Sequence, residues 1–161
     1  MQELLAASVE LNVVDGVILP NLKMQGAEEA CAYLDGRGRC SIHPYRPGIC
    51  RLFPLGRYYE NGGFSYFLQT GECAKENRSK IKVSKWIDTP DLTRNQQFTL
   101  QWHDLLHAME ERLTGEDEGK QREENLLLLR LFYLLPYEGT IDFYTQFTER
   151  MEHWNGQNGQ I

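Results

Sequence analysis

All four cysteines of this 161-residue chain, Cys31, Cys40, Cys50 and Cys73, fall within residues 31–73. Thiols gathered in this way have three chemical uses. They ligate a soft or borderline metal such as zinc or an iron–sulfur cluster, they pair as disulfides, or they pack as small buried side chains. The surrounding charge bears on the choice. The chain carries a formal net charge of −6, yet residues 31–57 hold five arginines (Arg37, Arg39, Arg46, Arg51, Arg57) against one acid, Asp35. Four thiolates around a divalent ion, or around an oxidised four-iron cluster, leave a formal charge of about −2. Neighbouring guanidinium groups stabilise such a site and favour the thiolate form. An arginine patch for a partner surface is the competing reading of the same charges.

The four cysteines are therefore the candidate metal ligands, with zinc or iron as the candidate ion, the iron alone or in an iron–sulfur cluster; thiolate softness also permits copper(I). Thiolate softness excludes magnesium and calcium as the native ion. Arg46 and Arg51 are candidate hydrogen-bond donors to the sulfurs, where they would tune the thiolate charge. The spacing contains no Cys-x-x-Cys knuckle, so by itself it does not select one metal. His43, three residues after Cys40, is a weaker ligand candidate than a structural ring beside Pro44. His103 and His107 stand one helical turn apart, but on the helical wheel they fall about 110° and 150° from the centre of the apolar stripe, facing solvent. They also lack the Glu of a zincin motif.

No catalytic residue can be named. There is no Gly-x-Ser-x-Gly elbow, no phosphate-binding loop and no dinucleotide fingerprint. A Cys–His nucleophile pair with Cys40 or Cys50 has no identifiable third residue to orient it. The reading is of a metal-binding protein rather than an enzyme.

The run Gly38-Arg39-Cys40-Ser41-Ile42-His43, then Arg46-Pro47, then Cys50-Arg51-Leu52-Phe53-Pro54 resembles the YkgJ-type cysteine-cluster family, described as a zinc- or iron-chelating domain. The resemblance spans roughly residues 8–110. It implies that the clustered cysteines chelate a metal in a structural or metal-handling role. Members of the family also carry an upstream C-x-x-C…C-C group, and this chain has no cysteine before Cys31. A preceding segment bearing those cysteines is therefore expected in a longer natural protein. Flagellin lysine methylases share the cysteine pattern, so the alternative implied function is a protein lysine methyltransferase-like enzyme with a supporting iron–sulfur cluster. No segment for a methyl donor is recognisable.

Several elements must position these residues. Residues 2–11 have apolar positions suited to a short helix. Residues 13–19 read as two strands about the Asp15-Gly16 turn, with Pro20 ending the second or placing it at an edge. Residues 30–34 and 40–43 are expected to form a second hairpin tipped by Gly36-Arg37-Gly38, which would set Cys31 and Cys40 on paired strands. Pro47 should open a short helical turn carrying Cys50 and Arg51, stopped at Pro54. Tyr58 and Tyr59 are expected to pair with residues 64–68 across Asn61-Gly62-Gly63, returning the chain so that Cys73 reaches the others. The second half reads as helical. Thr89 is the expected cap of a helix whose stripe is Phe98, Trp102, Leu105, Leu106, Met109 and Leu113. Residues 115–119 read as a solvated acidic loop. Residues 126–135 read as a helix buried all round, and Thr140 as the cap of a last helix through Tyr144, Phe147 and Met151.

The expected fold class is α+β in a single domain over residues 1–154. Hairpins over 12–75 hold the cysteine site, 84–154 form the helical part, and 155–161 are a flexible tail. With 41% hydrophobic and 25% charged residues, the chain can bury a core without depending on a metal. No apolar run approaches the about 20 residues of a membrane span, and no signal peptide is visible. These features point to the cytoplasm, where thiols stay reduced. The negative net charge argues against broad nucleic-acid binding. The metal ion is thus the expected partner, with no nucleic acid and no membrane.

Overall fold

The computed structural model describes residues 8–72 and 79–158. The architecture is α+β: small antiparallel hairpins precede a helical C-terminal half. The chain divides into two compact units, residues 40–101 and the segments on either side of them.

In the flanking unit, β1 (Val9–Val14) and β2 (Val17–Leu22) pair from Val14↔Val17 to Val9↔Leu22. Asp15 and Gly16 both have positive φ, 50° and 80°, the backbone of a two-residue hairpin turn that short polar residues and glycine tolerate. The hairpin is longer than its sequence signal. Its first strand takes Val9, Glu10 and Leu11, for which a helix is expected, and Ser8 lies in a turn; residues 2–7 of that expected helix lie outside the described residues. Pro20 does not end β2, because a two-stranded sheet has only edge strands and spares proline the missing donor.

β3 (Met24–Gln25) pairs with β4 (Ala30–Cys31), and Cys31 lies opposite Met24. Cys31 is therefore not paired with the 40–43 segment as expected; of that second hairpin, only single bridge residues form, Leu34 and Cys40 on either side of the tip. Between them, residues 35–39 form a tight turn organised by Asp35. Its Oδ1 accepts from the amides of Arg37 and Arg39, both at 2.9 Å, while its own N–H donates to the Arg39 carbonyl at 2.8 Å. An aspartate that bonds its own following backbone offers an alternative to strand ladders.

The unit of residues 40–101 contains a 3₁₀ turn (His43–Tyr45), α1 (Gly48–Leu52), the hairpin β5 (Leu55–Glu60) with β6 (Gly63–Leu68), and α2 (Val83–Ile87). Asn61 and Gly62 turn the hairpin with φ of 51° and 70°. Gly56 lies opposite Phe67, whose ring covers it; a Cβ there would clash with the ring. Leu52 and Ile87 are its buried hydrophobic side chains among the described residues.

α3 (Leu92–Leu113) begins in this unit and ends in the other. Its cap is Asp91, whose Oδ1 accepts from the Arg94 amide at 3.0 Å, not Thr89. Along the expected stripe, Leu105, Met109 and Leu113 are buried. α4 (Glu118–Leu129) starts well before the apolar run because Asp117 caps it, accepting from the amides of Gly119 and Lys120. The acidic segment is thus partly a helix start. Leu126 and Leu134 are 54% and 50% exposed, so the run is buried on one face rather than all round.

The chain next makes a π turn (Arg130–Leu134). Arg150 satisfies the carbonyls this turn releases, donating to Leu131, Leu135 and Pro136 at 2.7, 3.1 and 2.8 Å. α5 (Phe143–Asn158) is capped by Asp142, which accepts from the Thr145 amide at 2.9 Å; Thr140 is not the cap. The helix continues through Asn158, beyond the point where the sequence suggested a tail. Phe132, Phe147, Trp154 and Trp102 form an aromatic cluster with ring centroids 5.1–6.4 Å apart. Asn125, buried in α4, ties this core to the first hairpin. It accepts from the Ile18 amide at 2.6 Å and donates to the Gly16 carbonyl at 3.0 Å.

Candidate metal centre

Cys31 ends β4 and is half-buried. The Leu34 amide donates back to its carbonyl at 3.0 Å, so the chain turns immediately after it. Cys40 follows the Asp35 turn and is also half-buried. Cys50 is exposed in α1, and its amide donates to the Pro47 carbonyl at 3.0 Å. Pro47 places the helix start through its fixed φ, as the sequence suggested. Cys31, Cys40 and Cys50 form no disulfide. Cys73, and the proposed role of the β5–β6 hairpin in returning it to the site, lie outside the described residues.

The helix that carries Cys50 is held by contacts the sequence did not announce. Arg51 donates to the carbonyls of Asp88 at 2.9 Å and Pro44 at 3.0 Å, with the Asp88 carboxylate 3.8 Å away. Trp86 donates from Nε1 to the Phe53 carbonyl at 3.0 Å. Together they fasten α1 to the 3₁₀ turn and to α2. Five residues of helix could not hold themselves, because nucleation costs more than so few bonds return. Only long-range position identifies Trp86 as a contributor, so no local pattern could have found it.

Arg46 is extended, as expected before a proline. Its guanidinium lies 2.7 Å from His43 Nε2. Arginine can only donate, so the histidine nitrogen accepts and its proton sits on Nδ1. That contact engages the Nε2 lone pair a metal would need. The Nε of Arg46 is buried with no hydrogen-bond partner. His103 and His107 lie on α3, partly exposed.

By donor chemistry, the four thiols suit tetrahedral zinc or an iron–sulfur cluster. Geometrically, the described residues contain no group of three or more His, Cys, Asp or Glu side chains that could hold a metal ion. They do not by themselves complete a site. No helix among them is long and apolar enough to cross a membrane.

Residues 5–76 match the family model CxxCxxCC, whose description is "Putative zinc- or iron-chelating domain". No curated protein and no solved structure matches the chain. The matched segment contains all four cysteines. Residues 5–76 are thus similar to a family of cysteine-cluster domains described as zinc- or iron-chelating.

Proposed function

We propose that this chain binds one zinc or iron centre through Cys31, Cys40, Cys50 and Cys73, in a reducing cytoplasmic setting, as a structural or metal-handling protein. The observation that carries the reading is the family match over residues 5–76, which encloses every cysteine of the chain. Two features of the fold support it. The described residues of 40–101 bury few apolar side chains, the situation in which small units use metals as staples. The buried, unpartnered Nε of Arg46 is a donor that a thiolate would satisfy. Arg51 serves the same centre by fixing the helix that carries Cys50. His43 stays outside the ligand set, its Nε2 occupied by Arg46.

Elemental analysis of protein purified without air tests the proposal. Zinc or iron should be present in a fixed ratio to protein. Cys40→Ala and Cys50→Ala should lower that ratio and the melting temperature, because metal-binding free energy is folding free energy in such sites; His43→Ala should lower neither comparably. Absence of both metals, with all four thiols titrating in the folded protein, would overturn the reading. Equal metal content in Cys40→Ala and the unaltered chain would remove Cys40 from the ligand set.

A further inference from the structure

α3 carries a second pair of metal-ligating side chains, remote in sequence from the cysteines. His103 and His107 are i, i+4 neighbours on the helix surface. Their ring centroids lie 6.2 Å apart with planes inclined by 39°. Each ring turns Nδ1 towards a carboxylate: His103 Nδ1 is 3.3 Å from Asp104 Oδ1, and His107 Nδ1 is 3.6 Å from Glu111 Oε1. Carboxylates beside imidazoles are the arrangement that accompanies metal-bound histidines, orienting the rings. The side chains are 36% and 57% exposed, so an ion can reach them from solvent.

The geometry points to a two-histidine site on α3 for a borderline divalent transition metal. A tetrahedral ion with metal–nitrogen bonds of about 2.0–2.1 Å places two imidazole centroids about 5 Å apart. The rings must therefore close by about 1 Å, which side-chain rotation on an exposed helix face supplies. Nitrogen ligation selects copper(II), nickel(II) or zinc over calcium and magnesium. No third protein ligand gathers here among the described residues, so water or a small exogenous ligand completes the shell and the ion exchanges readily. Asp104, Glu110 and Glu111 flank the pair in sequence and supply a negative field for a cation. The site lies outside residues 5–76 and uses no thiol, so it stands or falls separately from the cysteine centre.

The test is nickel(II) chloride titrated without air into the full chain as isolated, followed by calorimetry. One nickel per chain should bind at the pair. His103→Gln and His107→Gln should each weaken that binding at least tenfold, and the double variant should abolish it. Cys40→Ala should leave it unchanged. Glutamine is chosen to retain polarity and bulk, and unaltered far-ultraviolet circular dichroism verifies that each variant is folded. Equal nickel binding by the double variant and the unaltered chain would overturn the inference, as would binding that disappears with Cys40→Ala.

Discussion

The two units solve the problem of holding a shape in opposite ways. Residues 40–101 carry nine lysines and arginines against five acids, a net +4, whereas the flanking segments carry eight against eighteen, a net −10. Of the buried hydrophobic side chains among the described residues, only Leu52 and Ile87 belong to the basic unit; the acidic unit has Met109, Leu128, Phe147 and the others. Meanwhile Tyr45, Ile49, Phe53, Tyr58 and Phe67 of the basic unit are exposed. One unit is held by a packed core, the other by backbone clips from Arg51 and Trp86 and by hairpin register. Two of the candidate thiols, Cys40 and Cys50, sit where packing is thin. That placement leaves sulfur accessible and lets a ligand contribute what a core does not.

The largest effect should come from the packed core. Phe147 is 2% exposed and meets Trp102, Phe132 and Phe143. Phe147→Ala should cost about 3–5 kcal/mol, combining lost transfer energy with a cavity. Phe53, 49% exposed, contributes its carbonyl to Trp86 rather than its ring to a core, and Phe53→Ala should cost under about 1 kcal/mol. Urea denaturation followed by circular dichroism measures both. Comparable losses would remove the distinction between the units.

A second prediction separates the units by pH. Burial is the main cause that pushes the Tyr133 phenol up to about 12 from its ordinary 10.0, with Tyr137 adding to it. Between those values the unfolded chain has released the proton and the folded chain has kept it, so stability falls as pH rises. The contribution is fully present below pH 10 and is lost on passing through about 12, amounting to about 2–3 kcal/mol. Melting curves from pH 9 to 12 should show this loss in the helical signal, and Tyr133→Phe should flatten it. An unchanged slope in the variant would assign the alkaline loss to other groups.

Local chemistry was readable where one short segment decides the outcome. Asp15-Gly16 and Asn61-Gly62 announce their turns because few other residues accept positive φ, and Pro47 announces α1 because its φ is already helical. The apolar stripe through Met109 is equally local. Helix starts were misplaced wherever a threonine and an aspartate competed nearby. Asp91 and Asp142 cap instead of Thr89 and Thr140, since a carboxylate adds a favourable charge at the positive end of the helix dipole to its hydrogen bonds. The partner of Cys31 was not readable. Gly36-Arg37-Gly38 does lie at a turn tip, with bridge residues Leu34 and Cys40 beside it, but the pairing goes no further and Met24 from upstream pairs with Cys31. The π turn was hidden too, because Arg150, which stabilises it, comes twenty residues after it begins. For the candidate site, the cysteines and their motif were legible in the sequence. Arg51 and Trp86 as clamps were not, since Asp88 and Phe53, which accept from them, lie 37 and 33 residues away.

The smallest effect should come from the Arg51 clamp, and it tests whether backbone clips hold the basic unit. Its planar fork reaches the carbonyls of Pro44 and Asp88 at once, a geometry that the single ammonium of lysine cannot reproduce. Both bonds are exposed, so Arg51→Ala should cost about 1 kcal/mol. The effect should be local, because α1 opens when its clamp is removed. Amide hydrogen exchange at Arg51 and Phe53, whose N–H groups bond Pro47 and Ile49, should speed about fivefold, the factor that corresponds to about 1 kcal/mol. Arg51→Lys should fall between, retaining one carbonyl contact of two. Exchange within the core of α4 should stay constant in both variants, because Leu128 and Leu129 depend on packing in the other unit. Acceleration there equal to that in α1 would mean that the two units open together, and the division between clipped and packed halves would fail.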